Sequence, residues 1–113
     1  MRKDGEAYAS FLTAKKLPKE NPSRESAIQD ALLFAARVPA DTATTAVRAL
    51  KELDQIKGDI AAVIQADMLC AKHLLQASIR CAVENIRANL AFIKNVDKID
   101  EFNKQITVFL KSC

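Results

Sequence analysis

The stretch from Asp59 to Lys94 contains neither a proline nor a glycine, the two residues that most readily interrupt a helix. It predicts one continuous helix about 50 Å long at 1.5 Å per residue. Advancing 100° per residue from Asn85, the side chains of Ile60, Val63, Asp67, Ala71, Leu74, Ser78, Cys81, Asn89 and Phe92 fall within about 40° of it. Leu75, Ile79, Ile86, Leu90 and Ile93 make a second apolar flank at about 80° to 140°, while His73, Gln76, Arg80, Glu84, Arg87 and Lys94 take the opposite side. The buried arc expected from the two flanks is roughly 200°, about twice that of a one-sided surface helix. Such a helix packs against neighbours on two sides. The small residues of the first stripe let a second backbone come close, and a symmetric dimer through that stripe is the expectation.

Four polar side chains, Asp67, Ser78, Asn85 and Asn89, interrupt the stripe expected to be buried. A buried amide or carboxylate without partners costs about 1–3 kcal/mol, so each must be satisfied. Backbone ends, water or a partner subunit can do this, and so can a ligand. Asp67 and Asn85 share a face but stand about 27 Å apart along the helix. One small site within one chain does not use both, whereas two copies of the chain bring such residues together. His73 and Arg87 lie on the polar side, where solvated or surface-paired side chains are the rule.

The flanking segments read as further helices. Asp4 before "GEAYASFLTAKKL" is placed to cap a first helix with Ala7, Tyr8, Phe11 and Leu12 on its apolar face. Pro18 and Pro22 break it, and Asn21-Pro22 restarts the helix. The second helix should end or kink at Pro39. A third, with Ala43, Val47, Leu50 and Leu53, should run to about Ile56, with Gly58 as its stop and Asp59 as the next cap. Ile99, Phe102, Ile106 and Phe109 define the face of a terminal amphipathic helix. The expected fold is all-α, a bundle of about five helices around one long central helix, in one domain spanning residues 1–113.

Composition narrows the function classes. Half of the 113 residues are hydrophobic, aromatics are 5%, and there are two glycines and three prolines. A chain of this size buries a core without a metal or disulfide staple. The net charge of +3 comes from interleaved acids and bases, so no basic stripe asks for nucleic acid. Lys15, Lys16 and Lys19 around Pro18 read as a solvated loop that is also able to meet an anion. Cys70, Cys81 and Cys113 form no metal-ligand spacing. Cys70 and Cys81 lie about 16 Å apart along one helix and cannot bond to each other. They read as buried, reduced thiols of a cytoplasmic protein. No segment has the length or apolar character of a membrane span.

Two stretches carry a resemblance. "DGEAYASFLTAKKLPKE" resembles the Asp-x-x-Ala-Phe…Ala-x-x-Leu-Pro-Lys pattern of the formimidoyltetrahydrofolate cyclodeaminase and methenyltetrahydrofolate cyclohydrolase family, filled here by Asp4, Ala7, Tyr8, Ala14, Leu17, Pro18 and Lys19. "ENIRANLAFIKN" resembles that family's Asn-Val-Arg-Ile-Asn-Leu…Ile-Lys-Asp segment through Asn85, Ile86, Arg87, Asn89, Leu90, Ile93 and Lys94. Between them "AARVPADTA" matches the family's Ala-x-x-Pro pattern, and Asp67 falls at the Asp of its Ser-Asp pair. The resemblance covers nearly the whole chain and the C-terminal part of the family's domain.

This resemblance implies an all-helical, dimeric, folate-binding fold that uses no metal. It implies closure of 5-formiminotetrahydrofolate with loss of ammonia, or interconversion of methenyl and 10-formyl forms with water. Such chemistry needs an acid/base group beside a one-carbon centre, and cations or amides for the folate. Carried over residue by residue, the ligand-binding set is Lys19, Asp67, Asn85, Arg87 and Asn89. No catalytic residue is assigned. The sequence departs from the family at Ala66, where Ser precedes the Asp, at Cys81, where a helix glycine is usual, and in "KGDIAA", which lacks the asparagines usual after that glycine. The family's N-terminal glycine-rich segment has no counterpart in these residues. Two expectations follow: a helical protein binding a folate or related small molecule, or a non-catalytic dimerisation module on the same scaffold.

Overall fold

A computed structural model of the protein describes residues 2–56 and 61–113. The described residues form four α-helices and no strand: α1 (Arg2–Lys15), α2 (Ser23–Asp54), α3 (Ala62–Leu90) and α4 (Val96–Lys111). The all-α class is as expected; the count of five and the single central helix are not. One helix of 32 residues, α2, replaces two, because Pro39 sits inside it rather than ending it. It is α2, not α3, on which the other three helices pack. The predicted helical stop at Gly58, the cap at Asp59, and Ile60 lie outside the described residues.

A proline inside a helix forfeits one backbone hydrogen bond and costs about 3 kcal/mol. The cost is tolerated here because Val38, Pro39 and Ala40 are all buried in the packing surface of α2, so tertiary contacts hold both halves in line. The hydroxyls of Thr42, Thr44 and Thr45 donate back to the carbonyls of Val38, Ala40 and Asp41 just after the proline. That satisfies these side chains locally without a partner from another element.

The turns follow ordinary capping chemistry. The Asn21 side chain accepts the Ser23 N–H at 2.9 Å and opens α2 one residue from where Asn-Pro placed it. Arg24 Nε donates to the Leu17 carbonyl at 3.1 Å, closing the end of α1 against the start of α2. Asn95 Oδ1 accepts the Lys98 N–H and caps α4. The predicted cap at Asp4 does not form a helix start, since α1 already begins at Arg2.

Helices α2 and α3 run antiparallel. The start of α2 reaches the end of α3, where Gln29 bonds the backbone of Phe92 and Lys94, and Asp54 at the end of α2 pairs with Lys72 at 3.2 Å. Helix α4 lies along both, burying Phe102, Ile106 and Phe109 as its periodicity predicted. Ile79, Val83 and Ile86 are the largest fully buried side chains. They place the core where α2, α3 and α4 meet.

The molecule is a slab of 66 × 26 × 15 Å. Its thinnest dimension is less than two helix diameters, each about 10–12 Å, so a helix covered on one face has the other open. Within one chain α3 is therefore covered on one flank only, and the flank expected to meet a second copy is open. The flank with Ile79, Ile86, Leu90 and Ile93 is the core, but Val63 is 74%, Leu74 72% and Phe92 68% exposed. Asp67 and Asn85 are exposed, while Ser78 and Asn89 are half-buried. Cys70 and Cys81 are likewise exposed free thiols rather than buried ones. The helical wheel correctly sorted apolar from polar sides of α3, but one chain provides a neighbour for only about 100° of it, from Ala82 to Val83.

Candidate functional site

Helices α1 and α3 both pack on α2 and not on each other. The space left between them is a half-open groove of about 570 Å³. Leu32, Ala35, Pro39 and Thr42 of α2 make its floor. Ala7, Tyr8 and Phe11 of α1 make one wall, and Ser78, Cys81, Ala82, Asn85, Ala88 and Asn89 of α3, with Phe92 just past its end, the other. Small residues create the space: Ala7, Ala35, Ala82 and Ala88 have no side chain long enough to bridge it. The volume lies within the range of about 300–1,000 Å³ typical of small-molecule sites.

Chemically the groove is apolar and aromatic with a few convergent polar groups. Tyr8, Phe11 and Phe92 offer flat faces able to stack on a planar ring system. Asn89 Nδ2 donates to the Asn85 carbonyl at 3.0 Å, one turn back along α3, leaving its amide oxygen as an acceptor. The Asn85 amide, one turn earlier on the same wall, is exposed and supplies both a donor and an acceptor. Among the described residues, no aspartate, glutamate, lysine, arginine or histidine lines this groove. The described lining is suited to recognising shape and hydrogen-bonding pattern.

Of the five residues carried over by resemblance, the structure brings two together here, Asn85 and Asn89. Lys19 is exposed in the connection between α1 and α2. Asp67 is exposed about three turns before the first groove residue of α3, Ser78, and the continuity of α3 keeps it about 27 Å from Asn85. Arg87 faces away and pairs with Glu84 at 3.0 Å as a surface contact between neighbouring turns. The sequence reading missed the aromatic residues Tyr8, Phe11 and Phe92 as site components, read Pro39 only as a helix boundary and part of the Ala-x-x-Pro pattern, and did not single out Thr42. Phe92 and Tyr8 were assigned to apolar faces; that those faces front a shared cleft depends on helix placement.

Gln29 is a second feature that sequence reasoning missed. Its Nε2 donates to the Phe92 carbonyl at 3.1 Å and its Oε1 accepts the Lys94 N–H at 2.9 Å. This clamp fixes the backbone just past α3 and therefore the position of Phe92 at the end of the groove. Beside it Lys94 Nζ meets Glu25 Oε1 at 2.7 Å. That hydrogen bond holds the Glu25 carboxyl below its ordinary value of 4.5.

Among the described residues no helix is long and apolar enough to cross a membrane, and no cluster of three or more His, Cys, Asp or Glu side chains is placed to hold a metal ion. No curated protein and no solved structure matches the chain. A family model described as Formiminotransferase-cyclodeaminase matches residues 1–108, which include the floor and both walls of the groove and Asn85 and Asn89 within it. The chain belongs to the formiminotransferase-cyclodeaminase family.

Proposed function

We propose that the groove between α1 and α3 binds a folate derivative or a related small molecule with a flat heterocycle. The observation that carries the reading is the convergence of Asn85 and Asn89 with three aromatic side chains around about 570 Å³ of accessible space. Aromatic faces would stack a pterin-like ring and the two amides would read its edge, an arrangement that needs no metal. Family membership supports the choice of folate over other planar ligands. Lys19, Asp67 and Arg87 remain part of the ligand set only by resemblance, since none of them lines the groove. In this reading residues 1–113 act as one helical domain in the cytoplasm.

Isothermal titration with tetrahydrofolate and its 5-formyl derivative tests the proposal. Binding should be measurable, and Asn85→Ala should weaken it about tenfold, the equivalent of about 1.4 kcal/mol for a lost hydrogen bond in a partly dry site. Lys104→Ala, exposed on α4, should change it less than twofold. No heat at millimolar ligand overturns the reading.

A second reading is favoured by a separate observation. Val63 and Leu74 of α3, and Phe92 just past its end, lie exposed, which suits a homodimeric assembly module that has kept the scaffold without the chemistry. In this reading Ala66 and Cys81, at positions where the family carries Ser and Gly, reflect the loss of catalysis. Sedimentation equilibrium distinguishes it: a dimer that shows no folate binding supports assembly alone, and a monomer removes it.

A further inference from the structure

The link that joins α3 to α4 is gripped by two side chains of α2 in a closed ring of hydrogen bonds. Glu25 and Gln29 stand one turn apart on α2 and touch each other. Both N–H groups of the Gln29 amide are used: Nε2 donates to Glu25 Oε1 at 3.3 Å and to the Phe92 carbonyl at 3.1 Å. Its Oε1 accepts the Lys94 N–H at 2.9 Å, and Lys94 Nζ returns to Glu25 Oε1 at 2.7 Å. The ring fixes which way the amide points. A flipped Gln29 would turn its oxygen towards a carbonyl and a carboxylate and its NH2 towards an N–H, losing all three bonds.

What the ring holds is the backbone on either side of Ile93. Ile93 is buried, and its burial sets how deep the link sits, but one anchored side chain leaves the link free to turn about it. Bonds to the carbonyl before Ile93 and to the N–H after it remove that freedom. The neighbouring Phe92 side chain is largely exposed and lines the groove, so its direction follows that of the link. Leu32, three residues past Gln29 on α2, belongs to the groove floor, which puts the clamp at the groove's edge. We propose that Gln29, oriented by Glu25, is a positioning residue of the ligand site: it holds the Phe92 ring ready to stack on a planar group in the groove. The proposal rests on the ligand-binding reading above. Without the clamp Phe92 takes several directions, and a ligand must order it on binding, which lowers affinity.

A double-mutant cycle on ligand affinity separates positioning from stability. With tetrahydrofolate as the probe, Phe92→Ala should weaken binding about tenfold and Gln29→Ala about fivefold, while the double variant stays near tenfold rather than about fiftyfold. Combined with Asn85→Ala, by contrast, the Gln29→Ala effect should multiply, because Asn85 lies within α3 and does not depend on the link. Ile106→Val lowers stability through the buried face of α4 and should leave affinity within about twofold, so destabilisation as such does not imitate the result. A readout without ligand completes the test. The chain has no tryptophan, so Phe92→Trp installs a single indole at the groove's edge. Adding Gln29→Ala to it should raise acrylamide quenching and lower fluorescence anisotropy. Independent penalties at Gln29 and Phe92, or an indole indifferent to Gln29→Ala, overturn the proposal and leave the ligand reading standing. A parent protein that gives no heat with millimolar tetrahydrofolate removes the ligand reading, and this proposal with it.

Discussion

Gln29 offers the sharpest test of how the groove is held. It bridges two helices through backbone rather than side-chain atoms: its amide donates to the Phe92 carbonyl and accepts from the Lys94 N–H. Gln29→Ala deletes both bonds at the point where α3 ends and the chain turns towards α4. Each such bond contributes about 0.5–1.5 kcal/mol net, so the loss is about 1–3 kcal/mol. The site is half-buried, which lets water replace part of what is removed and favours the lower half of that range. For a chain of this size each kcal/mol lowers Tm by about 4–6 °C, so thermal unfolding followed by helical circular dichroism should shift down by roughly 5–10 °C. Gln29→Glu sharpens the test. The new carboxylate still accepts from Lys94 but has no donor for the Phe92 carbonyl, and it faces the Glu25 carboxylate. It should be at least as damaging as alanine at pH 7 and recover part of the loss near pH 4, where protonation restores an O–H donor. A Gln29→Ala Tm within 1 °C of the parent, or a Gln29→Glu penalty independent of pH, would refute the reasoning.

Two further outcomes are expected. Pro39→Ala restores an N–H to α2 at a position whose backbone is already helical, regaining much of the roughly 3 kcal/mol that an internal proline costs while losing ring packing on the groove floor; urea titration should show a net gain of about 1–2 kcal/mol. Glu25 is held below its ordinary carboxylate value by the Lys94 hydrogen bond, so its contribution is fully present above about pH 4.5 and is lost as pH falls through the lower folded value. Glu25→Gln should therefore lower stability modestly near neutrality, change little at pH 3 where the contribution is already lost, and so flatten the fall in between, as denaturation midpoints from pH 3 to 7 would show.

The local chemistry of the chain settled a good deal of this protein. Scarce glycine and proline made it helical, Ile99, Phe102, Ile106 and Phe109 marked the inward face of α4, and the flank from Leu75 to Ile93 marked the core side of α3. These are short-range properties: helical periodicity follows from bond geometry, and apolar side chains leave water whatever their neighbours. The two motifs around Lys19 and Asn85 likewise pointed to the family before any coordinates. What periodicity does not carry is the supply of neighbours. The first stripe of α3 carries apolar side chains as its sequence shows, but a slab 15 Å thick has no third layer to cover it, so Val63, Leu74 and Phe92 face outward. Pro39 looked like a boundary because proline lacks a hydrogen-bond donor, whereas burial on both sides of it decided that α2 continues. The groove itself exists only because α1 and α3 rest on α2 without meeting. That cleft gathers Tyr8, Asn85 and Phe92 from distant parts of the chain, and only helix packing sets the distance between them.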